Sequence, residues 1–177
     1  MKQKPIIILT LALSLCLFAS CTKEERDFYS GLGKKPVYVP LSDLLDIRSE
    51  PPRDIDQSGT IYLQDTLLFL LEQGKGIHVF NIKDSVNTVN LVFFKIPAIT
   101  DFVINGSLLY ADSWRDLVAI DISDLQQIRE TDRISNVINP ALYPPFYTGI
   151  FECVDETKGA IVGWEETELE NVRCFTN

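Results

Sequence analysis

The chain has 177 residues and a formal net charge of −9 at pH 7. Such an acidic chain lacks the positive potential that attracts phosphate backbones, which excludes nucleic acid as a partner and electrostatic attraction to an anionic membrane. The length is sufficient for one domain with a hydrophobic core.

The N-terminus has the three parts of a secretory signal peptide. Lys2 and Lys4 precede an apolar run over residues 6–18, and the small residues Ala19 and Ser20 follow it. The run is about 13 residues long, whereas a membrane-spanning helix takes roughly 20. We therefore expect residues 1–20 to be a signal peptide rather than a permanent transmembrane anchor.

The end of this segment, Leu-Phe-Ala-Ser-Cys at residues 17–21, resembles the lipobox of bacterial lipoproteins. The resemblance implies that Cys21 becomes the first residue of the mature chain and carries the lipid. Several acyl chains, each contributing about 0.8 kcal/mol per buried CH₂, give a stable anchor.

Lys23, Glu24 and Glu25 follow the cysteine directly. They resemble the signal that sends lipoproteins of the Bacteroidota to the outside of the outer membrane, so we expect a surface-exposed protein. The alternative is a solvated charge run in a linker, on a lipoprotein that faces the periplasm.

Residues 21–36 are charged, contain glycine and show no apolar period, which predicts a flexible tether. A flexible segment of this length reaches on the order of 20 Å from the lipid. Ordered structure is expected from Val37 onwards, in a β-domain over residues 37–177.

Apolar and polar residues alternate along most of residues 60–134, the pattern of half-buried β-strands. Asn105-Gly106 between two apolar runs also indicates a type I′ hairpin, which requires positive φ at both central residues. The predicted strands form two sets of four: residues 60–63, 67–71, 77–82 and 89–96, then 102–104, 108–111, 117–122 and 128–134.

The two sets of strands are copies of one repeat. Residues 67–69 align with 108–110, and residues 76–84 align with 116–124. The units extend over about 58–97 and 98–138, and a four-stranded unit that repeats every 40 residues or so is typical of propeller blades.

Residues 109–112 and 117–124 resemble the LVIVD-repeat family, whose units follow the pattern Leu-Tyr-Val-Ala … Leu-Val-Ile-Val-Asp-Ile-Ser-Asp-Pro. The resemblance implies a propeller-like β-structure on an anchored protein with no established enzymatic activity. A closed ring needs about four blades, and this chain has only two units and a predicted C-terminal hairpin over residues 146–177. We therefore expect an all-β fold in which two propeller-like, four-stranded antiparallel units pack on each other without closing a ring. Assembly of several copies is the alternative.

The four cysteines are distinguished by position. Cys16 leaves with the signal peptide and Cys21 takes the lipid, so Cys153 and Cys174 remain as a pair in an oxidising compartment. They predict one disulfide that ties the C-terminal hairpin; two free thiols are the alternative.

No segment predicts catalysis, a metal site or a cofactor. His78 is the only histidine, and it lies within a predicted strand where the sister unit has Val118, which favours a packed side chain. Asp121, Ser123 and Asp124 provide too few oxygens for Ca²⁺, and such residues after a strand more often cap turns.

Two aromatic groups are candidate ligand contacts. Trp114 lies between charged residues in a loop, and Tyr143, Phe146 and Tyr147 form a cluster on a proline-containing turn. Exposed aromatic rings can stack on sugars, although loop aromatics that fold back onto their own hairpin are common. The sequence thus predicts a platform for protein interaction or assembly, with a glycan-binding accessory lipoprotein as the alternative.

Overall fold

The computed structural model describes residues 28–84 and 86–177. The predicted signal peptide over residues 1–20, the lipidation site at Cys21 and the predicted export signal over residues 23–25 therefore lie outside the described residues. Within the described part of the chain, no helix is long and apolar enough to span a bilayer.

The described residues form β-strands and two short 3-10 helices, at Leu41–Leu45 and Glu156–Lys158, so the predicted all-β class is confirmed. In chain order the strands are β1 (Tyr29–Val39), β2 (Arg48–Glu50), β3 (Ile61–Gln64), β4 (Leu67–Glu72), β5 (Gly76–Asn81), β6 (Val89–Lys95), β7 (Phe102–Asn105), β8 (Leu108–Ser113), β9 (Asp116–Asp121), β10 (Arg129–Ile134), β11 (Gly149–Phe151), β12 (Ala160–Val172) and β13 (Cys174–Thr176).

The eight predicted strands form two antiparallel sheets, as expected. The first repeat sheet has the order β2-β6-β5-β4-β3, and the second repeat sheet has the order β10-β9-β8-β7. The sequence pattern did not predict β2, a short strand that extends the first sheet by pairing with Phe93–Lys95 of β6.

The predicted hairpin at Asn105-Gly106 is present, but its turn type differs from the prediction. Asn105 pairs with Leu108, which leaves Gly106 and Ser107 as the two-residue loop. Gly106 has a φ of 62°, and Ser107 has no positive φ. Positive φ at the first central residue alone corresponds to type II′ rather than type I′.

The two repeat sheets face each other and share one hydrophobic core. The first sheet contributes alternate residues such as Ile77 and Val79, and the second contributes alternate residues such as Val118 and Ile120, all of them fully buried. The expectation that the two units pack on each other without forming a closed ring is thereby confirmed.

The N- and C-terminal parts of the chain form a third sheet, here called the terminal sheet, with the order β12-β1-β11-β13. β1 runs antiparallel to β12 from Tyr29↔Val172 to Val39↔Ala160, and it pairs in parallel with β11. The predicted C-terminal hairpin over residues 146–177 takes a different form. β11 pairs antiparallel with β13, but it does not pair with β12, because β1 lies between them and takes their backbone hydrogen bonds.

The predicted flexible tether over residues 21–36 is also wrong from Tyr29 onwards, where β1 begins. Its glycines indicated a linker, but Gly33 has a packing role within the strand. A Cβ at this position would lie 2.6 Å from both the Ile150 carbonyl oxygen and the Leu169 side chain. Glycine is required here by close approach of neighbouring strands.

The terminal sheet packs across the ends of the two repeat sheets through a second apolar cluster. Trp114 and Ala98 contribute to it from the repeat sheets, and Ala160 and Ile161 contribute from β12. Gly74, in the turn between β4 and β5, donates its N–H to the Ile99 carbonyl at 2.7 Å and lies against the backbone of β12.

Candidate functional site

Trp114 is not available as a ligand contact. It is the first residue of the turn between β8 and β9, with a φ of 62°, and only 7% of its surface is exposed. Its ring is packed into the second apolar cluster against the terminal sheet. The prediction of an exposed Trp114 is therefore wrong. The ring is buried, as in the alternative, but the terminal sheet rather than its own hairpin covers it.

The other predicted aromatic group does lie at the surface. Phe146 is fully exposed and Tyr143 is largely exposed. Both line an open cavity of about 590 Å³, called here the aromatic cleft. Its lining residues are Tyr143, Pro144, Phe146, Tyr147, Thr148, Thr176 and Asn177.

The terminal sheet positions one wall of the aromatic cleft. Thr176 in β13 donates its hydroxyl hydrogen to the Tyr147 carbonyl at 2.7 Å, and the Tyr147 hydroxyl donates to the Ile150 carbonyl at 3.2 Å. A disulfide between Cys153 and Cys174 joins the segment after β11 to the start of β13. The predicted cysteine pairing is thus present in the structure and supports this wall.

Phe146 adopts a backbone conformation that is rare for a bulky residue, with a φ of 55°. The left-handed conformation costs roughly 1–2 kcal/mol for an L-residue with a Cβ atom. The ring of Phe146 is fully exposed, so burial of the side chain does not offset this cost. Residues kept in such conformations concentrate at ligand-contacting sites.

The second repeat sheet exposes an apolar surface on the side away from the core. Val103 and Ile134 are 54% and 52% exposed, and between them lie the partly buried Tyr110, Leu117 and Ala119. Strand pairing places these side chains on one face, since Val103 pairs with Tyr110, Tyr110 with Ala119, and Leu117 with Ile134. These five residues are called here the open repeat face.

The repeat gives this face a counterpart inside the protein. By the repeat alignment, Tyr110 corresponds to Phe69, Leu117 to Ile77 and Ala119 to Val79. The three counterparts are buried in the core between the two repeat sheets. The same side of the blade is therefore covered by a sheet in the first unit and only partly covered in the second.

Acidic residues border the open repeat face. Asp132 is exposed and pairs with Ala119 across the sheet, while Asp112 pairs with Leu117. The Asp112 carboxylate accepts hydrogen bonds from the backbone N–H groups of Thr100 and Asp101, at 2.7 and 2.9 Å. The surface is apolar at its centre and carries carboxylates at its edge, where Arg129 also lies beside Asp121.

The opposite end of the stack, the outer face of the first repeat sheet, carries a buried polar network. His78 is completely buried, and its Nε2 atom lies 2.8 Å from Glu72 Oε2. Arg53 donates to the same oxygen at 2.9 Å and Lys75 donates to Glu72 Oε1 at 2.7 Å. His78 is packed, as the sequence predicted; its partner Glu72 was not foreseen, since an acidic residue at the end of a strand usually signals solvent.

Opposing effects act on the pKa of Glu72. Burial raises the pKa of its carboxyl, but the hydrogen bonds from Lys75, His78 and Arg53 lower it by more, and the pKa lies below its usual value. The Arg53 guanidinium also lies 3.7 Å from the centre of the Phe93 ring. This network therefore closes the outer face of the first sheet.

The short acidic motifs after the strands cap turns. Asp121 Oδ1 accepts the backbone N–H of Ser123 at 2.9 Å, and Asp124 Oδ1 accepts that of Gln126 at 2.9 Å. In the first unit, Asn81 Oδ1 accepts the N–H of Lys83 in the same way. These contacts agree with the interpretation that the side chains serve turns.

No protein-family model matches this chain, and searches of the curated proteins and of the solved structures found no similar protein. The fold defines the class of protein: an all-β protein in which two antiparallel repeat sheets, of five and four strands, stack on each other and are joined by a terminal sheet.

Proposed function

We propose that this chain is an outer-membrane lipoprotein, anchored through Cys21 and exposed at the cell surface, whose two LVIVD-type repeats form a platform for a protein partner. The observation that supports the platform is the open repeat face. No catalytic activity is expected, and the burial of the single histidine, His78, is in keeping with this expectation.

The open repeat face has the shape and composition of a surface that packs on another sheet. Its counterpart in the first unit is covered by a four-stranded sheet, so the blade geometry already accommodates such a neighbour. Contiguous exposed apolar surface with a polar border marks interaction sites in soluble proteins. The acidic border at Asp112 and Asp132 favours a partner whose apolar sheet face has a basic rim.

Site-specific photo-crosslinking in cells tests the platform. A photoreactive residue at Ile134 should crosslink to one defined protein, and the additional substitution Tyr110→Lys should abolish that product by placing a charge in the apolar contact. Ile61 on β3 provides a matched control, because it is equally exposed but lies on the first sheet. Equal products from both positions, or none from Ile134, would contradict the platform.

The aromatic cleft favours a second candidate function, glycan binding by an accessory lipoprotein. Phe146 and Tyr143 present exposed ring faces beside an open cavity of suitable size. On a glycan array, Phe146→Ala should lose the signal of the native protein, whereas Val86→Ala, which also removes an exposed apolar side chain, should keep it. An array without any signal from the native protein would end this alternative.

The surface location is tested separately from the partner. Replacement of Lys23, Glu24 and Glu25 by alanine should make the protein resistant to protease added to intact cells, while the acyl modification remains in its mass. Cys21→Ser should remove that acyl mass. Unchanged protease access in the triple variant would point to a different export signal.

A further inference from the structure

Exposed apolar side chains cluster at the end of the terminal sheet where β1 begins. Phe28, Tyr29, Leu32 and Phe175 have between 36 and 58% of their surface exposed. The rings of Tyr29 and Phe175 stack with their centres 5.6 Å apart, and the Arg173 guanidinium lies 4.6 Å from the centre of the Phe28 ring. These five residues are called here the anchor-side patch.

The patch is close in sequence to the proposed lipid. Phe28 follows Cys21 by seven residues, and a fully extended chain spans at most about 3.6 Å per residue. Phe28 can therefore lie no farther than about 25 Å from the lipidated residue. Because β1 starts at Tyr29, the described part of the chain adds no flexible segment between Phe28 and the sheet.

We propose that the anchor-side patch rests on the lipid surface, with the aromatic rings at the boundary between headgroups and hydrocarbon. This inference rests on the proposed lipidation of Cys21. Tyrosine and other aromatic residues favour that boundary, where an apolar ring and a polar tip are both accommodated. Arg173 offers a cation to lipid phosphate in a chain that is otherwise strongly acidic.

The terminal sheet then acts as a rigid spacer. Its opposite end, at Val39 and Ala160, packs against the repeat sheets through the second apolar cluster. The ten residue steps from Tyr29 to Val39 span about 33 Å at a strand rise of about 3.3 Å per residue. The repeat sheets are thus held away from the bilayer, with the open repeat face accessible to a partner.

Depth-dependent fluorescence quenching tests this orientation in the full-length lipidated protein. The protein is reconstituted into vesicles of phosphatidylethanolamine and phosphatidylglycerol that contain a doxyl-labelled lipid. Each variant's added fluorescence is the signal above the native background of Trp114 and Trp164. The fluorescence added by Phe175→Trp should be quenched at least twofold more than the fluorescence added by Val103→Trp. Val103 is similarly exposed but lies on the second repeat sheet.

The two proposals fail in different ways. If the protein floats with the vesicles and both added tryptophans are quenched equally, the anchor is retained and the contact of the patch with lipid is contradicted. If the protein does not float with the vesicles, the lipid anchor is contradicted, and the patch proposal falls with it. Phe28→Trp provides a second reporter on the patch, and it should give the same result as Phe175→Trp.

Discussion

His78 and Val118 occupy the same position of the two repeat units, yet they lie on opposite sides of their sheets relative to the shared core. Val118 is buried between the sheets, whereas His78 is on the outer face of the first sheet, hydrogen-bonded to Glu72. The two blades therefore stack head to tail, each turning a different face to the common core. Such a stack has two unlike ends: the Glu72 network closes one, and the open repeat face forms the other.

Loss of the Glu72 charge should destabilise the protein and flatten the dependence of its stability on pH. Glu72→Gln leaves Arg53 and Lys75 facing a neutral group. This should lower the free energy of unfolding by about 1–3 kcal/mol at pH 7. The folded-state pKa of Glu72 lies below its unfolded value, so its contribution is complete above the unfolded pKa. That contribution is lost as pH falls through the folded pKa.

Urea unfolding between pH 7 and pH 3 measures both effects. The difference between native protein and Glu72→Gln should shrink as pH falls below the ordinary pKa of a glutamate, 4.5. Glu165→Gln is the control, because its ion pair with Lys35 is exposed to solvent and should contribute little to stability. A stability difference that does not change with pH would mean that folding leaves the pKa of Glu72 unchanged, which would contradict the prediction.

Gly74→Ala should disrupt the contact between the terminal sheet and the first repeat sheet. A Cβ at Gly74 would lie 1.7 Å from the Val162 carbonyl oxygen, so the backbone of β12 would have to move. Gly106→Ala is the matched control, since Gly106 also has a positive φ but no atom within 4 Å of the added Cβ. Gly106→Ala should lower the free energy of unfolding by only about 1–2 kcal/mol, the cost of a Cβ atom at positive φ.

Thermal unfolding of the two glycine variants distinguishes backbone strain from packing. Gly74→Ala should lose clearly more stability than Gly106→Ala, together with increased protease cleavage in the terminal sheet. Equal melting temperatures would show that β12 does not pack tightly on the turn between β4 and β5.

Period-two alternation was sufficient to predict the repeat strands, because each of these strands pairs with neighbours that are close in sequence. β1 was missed because its partners, β11 and β12, follow it by more than 100 residues, and its glycines and lysines resemble a linker. Trp114 was misassigned for a related reason. Its neighbours in sequence are charged, but the surface that buries it comes from the terminal sheet.

Trp114 and Phe146 should behave in opposite ways on truncation. Trp114→Ala removes a buried ring and should cost about 3–5 kcal/mol. Phe146→Ala removes an exposed ring, so stability should fall by less than about 0.5 kcal/mol. Chemical denaturation of both variants checks this difference, and a destabilised Phe146→Ala would show that its ring packs against the protein in solution.

Reduction of the disulfide should loosen the C-terminal edge of the terminal sheet. Cys153 and Cys174 are 21 residues apart, and a loop of this size corresponds to about 3 kcal/mol in the chain-entropy description. β13 has only three residues and pairs with β11 alone, so the crosslink is a main constraint on Thr176 and the aromatic cleft beside it.

Unfolding with and without reductant measures this contribution. The native protein should lose stability on reduction, whereas a Cys153→Ser, Cys174→Ser double variant should start lower and show no response. Hydrogen exchange should increase first over residues 174–177 and the segment around Tyr147. If both cysteines of the unreduced protein react with an alkylating agent, the disulfide does not form in the native protein and the prediction is wrong.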